Sequence, residues 1–168
     1  MKLSIKEIAI FGMLGGLMFA SKLVMEVLPN MHLIGVFIVA VTVVYRTKAL
    51  YPIYIFVVLI GLFYGFNMWW IPYLYIWTVL WGAVMLLPKK MPKRIEGLVY
   101  MVVCSLHGFL YGVIYAPSQA LMFGYNFEQT LAWIATGMPF DIIHGISNFV
   151  CGIMILPIVK AIRMAQKI

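Results

Sequence analysis

An all-α bundle of membrane-spanning helices is the fold class this sequence predicts, and three observations predict it. Hydrophobic residues make up 65% and charged residues 10% of the 168 residues, with a mean hydropathy of +1.04. A soluble domain carries about 25% charged residues. The apolar residues fall into six runs separated by short polar turns. Eleven of the twelve Lys and Arg residues sit near the termini or in alternate turns. A hydrocarbon core of about 30 Å takes about 20 apolar residues per helix, and only helices or closed barrels satisfy their backbone groups there. One transmembrane domain, residues 1–168, therefore accounts for the chain, with little outside the bilayer.

The elements follow in order. Residues 1–7 form a short basic start with Lys2 and Lys6. The six helices are expected at about 8–28, 33–45, 49–66, 71–87, 97–116 and 140–162. The run 33–45 is short for a full span. The turn Pro29-Asn30-Met31-His32 carries no Lys or Arg, whereas Arg46, Lys48 and the 89–94 turn carry several. Residues 117–138 read as an outer loop, too polar and broken to span cleanly, with an interfacial helix at 128–137. Pro139 then suits the start of the last helix, where its missing N–H costs nothing. The first run lacks a convincing small-residue cleavage site, so no cleavable signal peptide is expected. Cys104 and Cys151 lie inside apolar runs and read as small packing residues rather than a disulfide framework.

Charge sets the orientation. All Lys and Arg residues except Lys22 lie near the termini or in the 46–48 and 89–94 turns. Six crossings bring all four places to one side, and the positive-inside rule makes that side, with both termini, cytoplasmic. The net charge of +7 is thus a topology signal and no nucleic-acid patch. Trp69, Trp70 and Tyr73 then fall at the outer interface, where amphipathic rings are favoured.

The candidate site starts from PFDIIHGISN, Pro139–Asn148. Asp141, His144 and Asn148 fall at i, i+3 and i+7, within roughly a 60° arc of a helix, with Gly145 and Gly152 beside them. Polar groups at membrane depth are costly and face a cavity or a partner. The stripe reads as a pocket wall or as a polar cluster tying helices together, with Asp141 as a helix cap. His107, Tyr111 and Tyr115 repeat every four residues on the fifth helix, and Tyr73, Trp77 and Trp81 do so on the fourth. His107 reads as a ligand contact or a satisfied core histidine; the aromatic rings read as packing, with one or two free to stack on a ligand. Lys22 and Glu26 are spaced for an i, i+4 ion pair. Gly12, Gly16 and Ala20 on the first helix, Gly108, Gly112 and Ala116 on the fifth, and Gly61 and Gly65 on the third let backbones approach closely. The first of these faces suits packing within the chain or docking of a partner protein.

Enzyme signals are absent. GxxxxGK[ST], HExxH, GxSxG and CxxC do not occur. One metal held by Asp141, His144 and His107 has no motif spacing behind it. No catalytic residue, metal or cofactor is expected. Competing readings are a self-sufficient secondary transporter, with Asp141 and His144 relaying protons, and an intramembrane enzyme.

Six short hydrophobic helices, cytoplasmic ends and a small-residue motif on the first helix resemble the S components of energy-coupling factor (ECF) transporters. The ending PFDIIHGISNFVCGIMILPIVKAI is similar to the final helix of several members, which carry a comparable D-x-x-H-x-x-x-N run. The resemblance implies a high-affinity binding subunit of an ABC importer for a vitamin or related micronutrient. It implies docking on a membrane T component held by two cytoplasmic ATPases, and no chemistry of its own. It places the substrate near the outer surface, where Asp141, His144, Asn148, Trp77, Tyr111, His107, Tyr115 and Tyr73 lie at the expected depth. The alanine-rich A-x-x-x-A face that meets the T component corresponds to Gly12, Gly16 and Ala20, with glycine in place of two alanines. Nickel and cobalt members carry a histidine at the second residue; Lys2 stands here, which speaks against metal uptake. Aromatic groups beside one acid suit a flat heterocycle, and Lys22 is the outer-half cation for an anionic ligand.

Overall fold

The computed structural model describes residues 3–28 and 30–166, so Lys2, Pro29 and Lys167 lie outside the described residues. All regular structure among the described residues is helical: α1 (Ile5–Val24), α2 (Ile34–Tyr45), α3 (Leu50–Tyr64), α4 (Tyr73–Leu86), α5 (Lys93–Phe109), α6 (Tyr111–Phe123), α7 (Phe127–Cys151) and α8 (Ile155–Ala165). Short 3-10 turns extend α1, join α2 to α3 and α7 to α8, and precede α4. Five apolar helical segments are long enough to cross a membrane: Ile5–Val27, Ile34–Tyr64, Met68–Leu86, Lys93–Phe123 and Phe127–Ala165. By length and composition, these segments among the described residues are compatible with a multi-pass membrane protein.

Residue chemistry sets the ends. Ser4 and Glu7 form a reciprocal capping box at the start of α1, and Asn126 and Gln129 form another at α7. Gly124 ends α6 at a φ of 68°, a left-handed geometry that glycine adopts without penalty. Arg46 ends α2 at a φ of 53°, and its guanidinium donates to Met85 O at 2.7 Å, at the end of α4. The Phe11 ring packs on Tyr45, in α2, and on Tyr51, in α3, so the chain doubles back at this point. Lys6 donates to Gln166 O at 2.7 Å and Lys48 pairs with Glu7. The two chain ends and the 46–48 turn thus share one end of the bundle, the Lys/Arg-rich end.

α2 is the axis. Every residue from Ile34 to Thr42 is buried. It packs on α4 and α8 and touches α1, α5 and α7. A helix that is apolar all round belongs inside. At 12 residues it is about 18 Å long, short of a bilayer core. Neighbouring helices cover it, which is why this short run is stable.

The second half of the chain departs from the sequence expectation. Residues 117–138 are not an outer loop with an interfacial helix. α6 carries the chain to Phe123, and α7 begins at Phe127 rather than near 140. Pro139 lies inside α7, not at its start. Residues 117 and 139 hold prolines that read as breaks in sequence, yet both sit inside helices. The break falls instead at Leu110, between α5 and α6, where neither Gly nor Pro marks it.

Candidate functional site

Among the described residues, α5 and α7 make the most extensive helix contact in the bundle. The seam runs antiparallel: Gly97 of α5 lies beside Leu156 of α8, Gly108 of α5 beside Gly145 of α7, and Gly112 of α6 beside Asp141 of α7. A Cβ on Gly108 would lie 2.8 Å from Gly145 N and from the His144 carbonyl carbon. The Gly108–Gly112 spacing therefore does what small residues do between membrane helices: it brings backbone against backbone. Ser105 Oγ donates to Gly145 O at 2.8 Å across the seam.

Two residues of the polar stripe make hydrogen bonds in this seam, and Asn148 keeps a buried Oδ1 without a partner. Asp141, 7% exposed, accepts a hydrogen bond from Gly112 N at 3.0 Å. Gly112 is the second residue of α6, where the helix break leaves N–H groups without an intrahelical partner. The carboxylate caps that break. Asn148, 2% exposed, donates from Nδ2 to Cys104 O at 3.2 Å. Neither is among the residues that line the two cavities at this end of the bundle, and the hydrogen bonds they make tie helices together.

His144 behaves differently. It turns into a cavity of about 280 Å³ at the end opposite the Lys/Arg-rich one, whose wall includes Lys22, Glu26, Asn30, His32, Tyr73 and Tyr111. A neighbouring cavity of about 290 Å³ shares Lys22, Glu26 and Tyr73 and adds Tyr64 and Trp69. The His144 ring centroid lies 5.2 Å from His32 and 5.1 Å from Tyr111. Nδ1 of His144 and Nδ1 of His32 are buried without a hydrogen-bond partner. Unpaired buried polar atoms are uncommon in folded proteins and each invites an explanation. Burial, with His144 and Lys22 close by, pushes the His32 pKa down to about 3, so its imidazole is neutral over the ordinary pH range.

The other expected site residues divide. Tyr73 and Tyr111 line the cavity. Trp77, 2% exposed, forms a layer beneath it, with ring centroids of Tyr73 at 5.5 Å, His107 at 5.9 Å and His32 at 6.1 Å. Its indole Nε1 has no partner. His107 is the satisfied core histidine: Nε2 meets Ile76 O at 3.1 Å. Tyr115 donates to Trp69 O at 3.2 Å and stacks on Trp133, outside the cavity wall. Lys22 and Glu26 do not pair with each other. Glu26 accepts from Tyr64 OH at 2.7 Å, and Lys22 Nζ stands 6.0 Å from the Tyr64 ring centroid. Both side chains face the cavities.

The residues that sequence reasoning missed come from the segment between α1 and α2: Met25, Asn30, Met31 and His32. Their signal was a histidine and an asparagine in a turn without Lys or Arg, a place with no periodicity to show direction.

On α1, a Cβ on Gly15 would lie 2.5 Å from the Ile55 side chain, so Gly15 is the glycine that packs within the chain. Gly12 and Gly16 have nothing within 4 Å of theirs, and Ala20 is exposed. Among the described residues, none of the chain's own helices packs against Gly12 or Gly16 on this face. No family model, no curated protein and no solved structure matches the chain.

Proposed function

We propose that this chain is the substrate-binding S component of an ECF-type importer, made of six transmembrane helices with both ends in the cytoplasm. α2 and α3 count as two crossings in this reading, joined by the reversal at Arg46. The ligand is a vitamin-like small molecule, bound in the paired cavities between the end of α1, the 25–33 segment and the starts of α4 and α6. The observation that carries the reading is the pair of unpartnered imidazole nitrogens, His32 Nδ1 and His144 Nδ1, buried at an aromatic-walled cavity. A concave site with convergent polar groups fixes a small molecule's orientation, and here polar and charged groups share the wall with aromatic rings. Lys22 and Glu26 at its mouth add a cation and an anion. A flat heterocycle with hydrogen-bonding edges satisfies this set: its faces meet Tyr73 and Tyr111, and its edge meets the histidines. The direct test is to purify the chain in mild detergent and identify a co-purified small molecule by mass spectrometry. A stoichiometric heterocycle supports the reading; a chain that is folded, empty and bound by no vitamin in a panel overturns it.

Orientation has its own test. Reporter fusions at Lys90 and at Gly124 are expected to report opposite sides, Lys90 in the cytoplasm. The same readout from both removes the outward-facing cavity and the function built on it.

The partners follow from the open α1 face. A membrane T component, held by two cytoplasmic ATPases, docks on Gly12, Gly16 and Ala20. Nothing within 4 Å meets a Cβ on Gly16, so Gly16→Leu is expected to leave the bundle and its ligand affinity intact. It is expected to block close helix approach by the partner, and so co-purification of the complex and uptake. Ligand affinity of the isolated chain and recovery of the partner are measured on the same variant. Full uptake by Gly16→Leu places the docking face elsewhere.

A further inference from the structure

The Lys/Arg-rich end holds a concavity that the proposed ligand site does not use. A cleft of about 220 Å³ opens there between the ends of α2, α4, α5 and α8, with Arg46, Lys89, Glu96, Tyr100 and Arg163 in its wall. An adjoining cavity of about 370 Å³ shares Glu96 and Arg163 and adds Lys160. Its remaining wall is apolar: Leu156, Val159 and Met164 of α8. Four cations therefore face one carboxylate. The one ion pair among the described residues is Lys48 with Glu7, so Glu96 holds none of the four in a direct pair.

Arg46 is the fixed member of the set. Its Nη2 is tied to Met85 O, and its own carbonyl accepts from Trp81 Nε1 at 3.0 Å. Its Nε is buried and has no partner. The guanidinium is thus held rigidly, with donor capacity left over, in the wall of a positively charged cleft. Arg is suited to phosphate because its donors match phosphate oxygens in pairs. Lys89, Lys160 and Arg163 are exposed and mobile enough in side-chain length to close on an anion from the rim.

We infer that this cleft binds a phosphate group, the phosphodiester of an anionic membrane lipid or a free phosphate. The lipid fits the larger feature: the charged cleft continues into a cavity walled by apolar residues of α8, where acyl chains run. Basic pockets between transmembrane helices bind anionic head groups in this way. The inference is independent of the ligand proposed for the opposite end.

The test uses the full chain, delipidated in detergent, with native mass spectrometry against phosphatidylglycerol and phosphatidylcholine. One retained phosphatidylglycerol per chain, over phosphatidylcholine, is expected. Replacing Lys89 and Arg163 together by glutamine is expected to weaken it about 25-fold, at about 1 kcal/mol for each juxtamembrane cation. Lys93→Gln with Arg94→Gln removes the same charge from the first turn of α5, outside both cavities, and is expected to leave the adduct. Equal weakening by the two pairs of substitutions, or equal retention of both lipids, overturns the site. Inorganic phosphate is the second probe. Displacement of phosphatidylglycerol by millimolar phosphate identifies a site that reads the phosphate alone, and resistance to it identifies one that also needs the acyl chains.

Discussion

Gly108→Leu is expected to abolish the folded bundle. A Cβ at this position would lie 2.8 Å from Gly145 N, from the His144 carbonyl carbon and from Asn148 Nδ2. Two of these are backbone atoms of α7, which cannot rotate away. The leucine fits only if α5 and α7 separate. Overpacking alone costs about 1–3 kcal/mol. Separation also breaks the Ser105–Gly145, Asn148–Cys104 and Gly112–Asp141 hydrogen bonds, all buried. Each buried group left unpaired costs about a further 1–3 kcal/mol. The total reaches the whole stability of a typical domain, about 5–15 kcal/mol. Gly82→Leu is the control, because nothing lies within 4 Å of its Cβ. It exchanges a poor helix former for a good one and is expected to melt at or above the parent temperature. Size-exclusion profiles and thermal melts of the two variants decide the matter. A Gly108→Leu chain that stays monodisperse and melts like the parent would mean that α5 and α7 do not meet here.

This seam also shows what was legible in the sequence. Composition and run length predict a helical membrane bundle, and five segments have the length and apolar character to span. The short run at 33–45 holds α2, Ile34–Tyr45, an all-apolar stretch that the neighbouring helices bury. The small-residue spacing on α5 announces a close helix contact, yet spacing does not name the partner. The partner is the polar stripe of α7. Gly145 and Gly152, beside Asp141 and Asn148, read as space for a ligand; that space holds the Phe109 ring and Met101 of α5. A polar side chain at membrane depth needs a partner, and a broken helix supplies one as readily as a ligand does. The break at Leu110 carries no Gly or Pro, so the demand for a cap at Gly112 is invisible in sequence. Conversely, Pro117 and Pro139 read as ends and are helix-internal. Within a membrane bundle, neighbouring helices satisfy the groups that a proline frees. His32 escaped notice because a turn has no period from which to read direction.

The candidate site predicts a division of labour between two neighbours on α7, Asp141 and His144. Asp141→Ala removes the acceptor for Gly112 N and strands that N–H between α6 and α7. It is expected to cost about 1–3 kcal/mol of stability. Asp141→Asn keeps an acceptor oxygen of nearly the same shape, and is expected to recover most of the loss without altering ligand affinity. His144→Ala touches no hydrogen bond made by the imidazole within the chain, since Nδ1 has no partner there. The ring lines the cavity, so the fold is expected to survive while the co-purifying compound is lost. Removing one partner of a buried polar contact costs about 1–3 kcal/mol, or roughly 5- to 150-fold in affinity. His32→Ala belongs with His144→Ala, because the two rings lie 5.2 Å apart across the same cavity. Melting temperature and ligand affinity are measured on all four variants. Asp141→Asn that melts normally but releases the compound would return the carboxylate to the ligand. Unchanged affinity in both histidine variants would empty the cavity of its role, and with it the reading that these unpaired nitrogens wait for a ligand.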